Sequence, residues 1–345
     1  MRRIKIWVYD GILASGVAGT VDVFTAANAV WTRANVGGAG KAPLLQWQVE
    51  SLNGKPVQTA SGQDVRVDGI INPRAVADAV VVPGPFVANI ARFLDRPETL
   101  KPLFAALRRQ HERGALLASY CTGSFILAEA GLLDKGLATT HWAQAKTFAS
   151  RYPAVDLRVS EILTEQNRIL CSGAVTTSLN LAIRLVEKFA GAEIAAATAK
   201  MMLIDTNRGS QASYASLPET RHSDELVARA QRYMEKSLQH GFNLGKLARH
   251  LAVSERTLNR RFKSALGEAP LHYLQSLRVD VAKRLLEGGG LKVDVVGERV
   301  GYHDLSTFRR LFKRKTGLSP REFQRRFARR RPGRSMPAGG HVSSR

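Results

Sequence analysis

The segment from Thr257 to Tyr273 recurs fifty positions later, from Thr307 to Phe323. Laid over each other, TLNRRFKSALGEAPLHY and TFRRLFKRKTGLSPREF share Thr257/Thr307, Arg260/Arg310, Phe262/Phe312, Lys263/Lys313, Gly267/Gly317 and Pro270/Pro320. A repeat of this length is one supersecondary unit used twice. Each copy carries apolar residues four apart, Leu258/Phe262 and Phe308/Phe312, so each predicts an amphipathic helix with one core-facing stripe. Each then meets Gly and, three residues on, Pro, which stops that helix and opens the next. Asn243 and Ser254 stand where caps are needed for a short helix over 244–251 and for the first repeated helix, with a turn through Ala252-Val253 between them. The second copy has VDVVGERV (293–300), a turn at Gly301-Tyr302, and Asp304 near the cap. Helix, short turn, helix is a helix-turn-helix. The stretch from Pro270 to Glu287 predicts a helix that joins the two copies. At 18 residues it would span about 27 Å, the right scale to set two helices about 34 Å apart, one turn of DNA.

Charge agrees with that reading. Residues 1–205 hold 22 Lys+Arg against 17 Asp+Glu, a net of +5; residues 206–345 hold 29 against 12, a net of +17. The excess therefore lies with the repeat and points to an anionic partner, nucleic acid first and an acidic membrane surface second. Two cysteines, Cys121 and Cys171, make no disulfide framework and fit a reducing, cytoplasmic setting. The start, MRRIKIWVYD, has too short an apolar run for a signal peptide and reads as a first strand. No apolar run approaches the ~18 residues of a membrane span. Neither a metal site nor a cofactor is indicated.

The first two hundred residues alternate strand-like stretches (4–9, 45–52, 64–69, 78–84, 115–121) with helical ones (20–33, 97–114, 122–133, 176–191, 192–204). Residues 155–173 read as a hairpin turning at or near Gln166-Asn167. This alternation implies an α/β sandwich with a mostly parallel sheet. The organisation expected is a ligand-sensing domain over 1–205, a Ser- and Gly-rich linker over 206–223, an all-α module over 224–328, and a basic, disordered tail over 329–345.

The module from about Asp224 to Phe327 resembles the AraC/XylS DNA-binding domain, and GYHDLSTFRRLFKRKTGLSPREF (301–323) is very close to that family's signature. The resemblance implies two helix-turn-helix units on adjacent major-groove faces of a promoter. With Leu258, Phe262, Phe308 and Phe312 facing inward, Arg256, Asn259, Arg260 and Lys263 point outward in the first copy, and Ser306, Arg309, Arg310 and Lys313 in the second. Arg256, Asn259, Arg260, Ser306 and Arg310 are the candidates for base edges, where Arg and Asn form paired hydrogen bonds. Lys263 and Lys313 are the candidates for phosphates.

In the first domain, ALLASYCTGSF places Cys121 where a strand turns sharply into a helix, at the carboxyl end of a parallel sheet. The helix N-terminus there would favour a thiolate; a small buried apolar residue is the plainer reading. The words SYCTGSFILAEAGLLDKGLATTHW (119–142) resemble the ThiJ/PfpI superfamily, which includes cysteine hydrolases and isocyanide hydratase. That resemblance covers about 4–190. It implies a flavodoxin-like (class I glutamine amidotransferase-like) sandwich, Cys121 at the nucleophile-elbow position and His141 beside it. Two parts of the enzymes' chemistry are missing. Their acidic residue after the first strand would fall near Gly16, and no Asp or Glu occurs from Gly11 to Val21, which leaves Asp22, farther along the next helix, as the alternative. Their oxyanion-binding Gly-Gly is Gly84-Pro85 here, and proline has no N–H to donate. Catalysis is therefore not expected, and Gly84, Cys121, Thr122, His141 and Trp142 are the candidates for lining a ligand pocket. Trp142, Trp31 and Trp47 also invite an aromatic cage for a quaternary amine, although scattered tryptophans are more often core.

Such a domain fused to an AraC-type module resembles the GlxA-type regulators. The expected function is a ligand-responsive, sequence-specific transcription factor, an activator in the first instance. Its expected partners are promoter DNA, a small-molecule effector, RNA polymerase and a second copy of the chain. The alternatives are a bifunctional cysteine hydrolase or hydratase and a redox or electrophile sensor working through Cys121.

Overall fold

In the computed structural model, residues 1–35, 43–95, 97–207, 209–216 and 222–328 are described. The expected tail over 329–345 lies outside them. The chain divides into two units, Met1–Ala215 and Ser216–Arg345.

The first unit is built on a seven-stranded sheet. Its order is Leu163–Gln166, Ile169–Ser172, Leu116–Tyr120, Ala79–Val82, Arg2–Val8, Leu45–Ser51 and Gly69–Ile70. Every pairing is parallel except that of the two strands at the 163–172 edge. The strands Ala79–Val82, Leu116–Tyr120 and Ile169–Ser172 are buried at every position, which requires cover on both faces of the sheet. Helices Ala14–Ala34, Ser178–Ala190 and Ala192–Met201 pack together, and Pro97–Glu112 packs on Gly123–Glu129 and the strand Leu116–Tyr120. This is the flavodoxin-like α/β sandwich.

Several expectations shift. The hairpin occupies only 163–172 and turns through Asn167 and Arg168, both at positive φ (49° and 59°). Residues Asp156–Leu157 instead pair in parallel with Leu137–Ala138. Asp64–Val65 leaves the main sheet for a small hairpin with Val57–Gln58. The first helix begins at Ala14, six residues before its apolar period is plain. The expected linker over 206–223 is not a free tether at its start, because Gln211 is 3% exposed and Ser210 bridges to Glu161. Residues 208 and 217–221 of that linker lie outside the described residues.

One buried charge pair was not legible beforehand. Lys5 Nζ sits 2.6 Å from Glu50 Oε1, and Trp7 Nε1 donates to Glu50 Oε2 at 2.9 Å. All three side chains belong to adjacent strands, and strand alternation puts Lys5 and Trp7 on one face.

The second unit is all helical: Glu225–Lys236, Leu244–His250, Glu255–Leu266, Pro270–Glu287, Val293–Arg299, Leu305–Thr316 and Pro320–Phe327. It has two apolar cores. Leu258 and Phe262 anchor the first, and Phe308 and Phe312 the second, each fully buried. Helix Pro270–Glu287 feeds both.

Candidate functional site

The two repeated helices are cut by the same local rules. Ser254 Oγ accepts the Thr257 N–H at 3.1 Å, and Asp304 accepts the Ser306 and Thr307 N–H groups at 2.9 and 3.2 Å. Gly267 (φ 79°) and Gly317 (φ 77°) end the helices in the left-handed region, where a side chain is costly. The hydrogen bonds from Thr307 and Ser306 push the Asp304 carboxyl down to about 2, so the cap is ionised throughout the neutral range. The turns before the caps differ. Ala252 (φ 55°) is followed by one residue before Ser254, and Gly301 (φ 85°) by two before Asp304, so the second turn is a residue longer.

Arg256, Arg260, Lys263, Ser306, Arg309, Arg310 and Lys313 are exposed, and Asn259 is half-buried. They do not stand equally free. Among the described residues, Arg256, Arg260, Lys263 and Lys313 make no ion pair, whereas Arg309 pairs with Asp294 at 2.6 Å. Ser306 Oγ is occupied by Asp304 at 3.0 Å, and Arg310 leans on Thr307 Oγ1 at 3.3 Å. Arg261, which has no counterpart in the second copy, is scaffold. Its Nε and Nη2 meet both oxygens of Asp224 at 2.7 and 2.8 Å, and Asp224 also caps helix Glu225–Lys236 by accepting the Val227 N–H at 3.0 Å. Reading the sequence missed this role because its partner is 37 residues away.

In the first unit, Cys121 sits at φ 58°, between the strand Leu116–Tyr120 and the helix Gly123–Glu129. Its N–H donates to Ser172 O at 2.9 Å, and its carbonyl accepts the Thr140 hydroxyl at 3.3 Å. Thr122 Oγ1 donates to Pro85 O at 2.6 Å. Gly84 lies so close that a Cβ there would stand 2.5 Å from Thr122 N. Gly84, Cys121 and Thr122 thus meet at one point, to which Thr140 is hydrogen-bonded; His141 and Trp142 follow Thr140 in the chain. His141 is half-buried, stacks on Trp142 with ring centroids 5.4 Å apart, and accepts the Ala143 N–H through Nδ1 at 3.2 Å.

Electrostatics here favour the plainer reading of Cys121, a small buried residue, over a thiolate. Burial pushes the Cys121 thiol up, and hydrogen bonds from Thr122 and the Val175 N–H only partly offset it. Burial also holds His141 below the usual histidine range. Thiol and imidazole are therefore both neutral near pH 7. The three tryptophans do not gather. Trp47 lies level with Ile4, itself level with Ala79 and then Leu116, so it is three strands from the Cys121 strand. Trp47 packs on Phe24, and Trp31 rests against the core.

Residues 2–188 match the DJ-1/PfpI family. The chain belongs to the DJ-1/PfpI family. Residues 247–326 match a helix-turn-helix domain, here of AraC type. The HTH-type transcriptional regulator CdhR of Pseudomonas aeruginosa is 28% identical over 308 residues, spanning 88% of this chain and 89% of its own. The regulator GbdR of the same species is 27% identical, across 81% of this chain and 74% of its own. GlxA of Rhizobium meliloti is 26% identical, across 64% and 68%. Among solved structures, a Vibrio parahaemolyticus protein of proposed regulator function shares the fold of the first unit, with 18% identity, a TM-score of 0.50, and 59% of this chain against 99% of that one. This chain is a DNA-binding transcriptional regulator that carries a DJ-1/PfpI domain and an AraC-type helix-turn-helix domain, and it is similar to the HTH-type regulators CdhR and GlxA. Among the described residues, no helix is long and apolar enough to cross a membrane.

Proposed function

We propose that the first unit is a non-catalytic sensor that binds a small metabolite in the corner formed by Gly84, Cys121, Thr122, His141 and Trp142. Occupancy there would change how the second unit engages a promoter. The observation that carries this reading is a hydrogen-bonded path from that corner to the chain leading into the DNA-binding unit. Thr140 Oγ1 donates to Cys121 O at 3.3 Å, and Gln211 Nε2 donates to Thr140 O at 2.8 Å and to Val159 O at 2.7 Å. Gln211 is buried against Gly173, where a Cβ would stand 2.6 Å from its amide. A ligand that displaces the Thr140–His141 segment must therefore disturb Gln211, five residues before the second unit begins.

Three observations support the non-catalytic part of the proposal. By the family resemblance the enzymes' acid would fall near Gly16, and Tyr120 fills the space that a side chain at Gly16 would need. Pro85 supplies no N–H. Burial keeps the Cys121 thiol protonated at neutral pH, and among the described residues no acidic side chain hydrogen-bonds to it.

In the second unit, Arg256, Asn259, Arg260, Ser306 and Arg310 are assigned to base edges, and Lys263 and Lys313 to phosphates. The Asp294 pair assigns Arg309 to orienting its helix more than to reading bases. The reading extends to transcriptional activation with RNA polymerase as partner, to pairing of two copies, and to a cytoplasmic, nucleoid-associated protein.

The test is a metabolite screen on the full-length protein, reading both melting temperature and affinity for DNA that the protein itself has selected. An effector is expected to shift both. Trp142→Ala and Gly84→Ala should abolish the two shifts, and Cys121→Ser should keep them. Loss of the response in Cys121→Ser, with the fold intact, would overturn the reading in favour of cysteine chemistry.

A further inference from the structure

The two helix-turn-helix halves have separate cores, and one helix, Pro270–Glu287, walls both. Leu274 and Leu277 belong to the first core, Val279, Ala282 and Leu286 to the second. Two cores strung on one helix would leave each recognition helix free to roll about that axis unless something crosses between them. What crosses is centred on Arg278, the residue between the two sets. It is 8% exposed although charged. Its Nε donates to Leu238 O at 3.2 Å and its Nη2 to His240 O at 2.7 Å, both in the loop after helix Glu225–Lys236 of the first half. Its guanidinium carbon lies 5.1 Å from the centre of the Tyr302 ring, in the turn of the second half. The adjoining Gly301 approaches so closely that a Cβ would stand 2.4 Å from Leu238 O and 2.6 Å from Arg278 Nη2. Leu238 itself packs against both cores. A buried guanidinium needs its donors and its charge met at once. Here the first half supplies carbonyls and the second a ring face, so the side chain is satisfied only when the halves hold one relative position.

We propose that Arg278 is a positioning residue that fixes the distance and rotation between helices Glu255–Leu266 and Leu305–Thr316, so that the protein selects the spacing of two DNA half-elements as well as their sequence. Arg278 acts through Leu238, Gly301 and Tyr302. Spacing is read as energy: an operator with one base pair inserted rotates one half-element by about a tenth of a turn, and a bolted pair of helices cannot follow it, while a loose pair can.

The proposal rests on both helices reading DNA, and the experiment separates the two claims. Full-length wild type, Arg278→Gln and Tyr302→Leu are each used to select duplexes from a randomised DNA pool. The recovered half-element sequences and their spacings are then compared. Wild type is expected to give two half-elements at one spacing, with at least a tenfold loss of affinity on inserting one base pair. Both variants are expected to recover the same half-element sequences over three or more spacings, with the insertion penalty reduced below threefold. A folded variant that keeps the single spacing and the full penalty overturns the proposal. So does one that loses the half-element sequences while wild type retains them, because Arg278 would then be a general prop. Should Arg278→Gln fail to fold by its melting curve, Tyr302→Leu, which removes the ring face and leaves Arg278 with its carbonyl partners, carries the test. A wild-type selection that yields a single half-element overturns the two-helix reading itself and the bolt with it.

Discussion

Tyr120 occupies the space that any side chain at position 16 would need: a Cβ built on Gly16 would lie 2.6 Å from the Tyr120 hydroxyl. The hydroxyl is buried and has no hydrogen-bond partner among the described residues. A buried unpaired hydroxyl costs about 1–3 kcal/mol. Tyr120→Phe is therefore expected to stabilise the first unit by about 1 kcal/mol in a denaturant melt. Gly16→Glu is expected to lower stability by about 1–3 kcal/mol through overpacking and to confer no hydrolase activity. Turnover by Gly16→Glu would refute the packing argument.

Alkylation of Cys121 should be slow at neutral pH and speed up as pH rises. Burial raises the thiol, so the reactive thiolate gains population only above the ordinary cysteine range. The rate of iodoacetamide labelling against pH, followed by mass spectrometry, checks this. A plateau reached below pH 7 would mean an activated cysteine. Cys171 is no substitute target: it is fully buried, and burial pushes its thiol up to about 11.

Gln211→Ala should uncouple the two units. It removes the donor shared by Thr140 O and Val159 O and leaves those buried carbonyls unmet, at a cost of about 1–3 kcal/mol. The expected result is unchanged affinity for selected DNA and an effector response reduced several-fold. An unchanged response would remove the proposed path.

The two classes of DNA contact separate by salt. Arg260→Ala should cost about 1–3 kcal/mol on the selected sequence and relax preference at one position. Lys263→Ala should weaken all sequences alike and reduce the slope of log affinity against log salt by about one. Arg309→Ala should act differently, because its pairing with Asp294 at 2.6 Å already commits it. Asp294→Asn should reproduce its effect, and binding titrations at three salt concentrations decide between these outcomes.

Lys5→Met should destabilise the first unit by about 3–5 kcal/mol, because it strands the Glu50 carboxylate in the interior. Adding Glu50→Gln to that change should recover most of the loss, since a neutral amide still accepts from Trp7 Nε1. Thermal melts of the single and double variants measure the recovery.

What the sequence determined by itself is what short-range rules control. The repeat, its Ser254 and Asp304 caps, its Gly267 and Gly317 stops and the buried Phe262 and Phe312 all follow from apolar period and backbone preference within a few residues, and each element stands where it was read. The β-α alternation and the turn at Cys121 are legible for the same reason. Tertiary structure alone decided the rest, because the partners lie tens of residues apart and no local pattern announces them. It put Tyr120 against Gly16, Gln211 under Thr140, Lys5 beside Glu50, and Arg278 between Leu238 and Tyr302. It also decided between the two readings of Cys121. The helix start at that turn favours a thiolate, but the desolvation that comes with a closed corner is larger, and how closed the corner is depends on segments from four separate strands and loops meeting there.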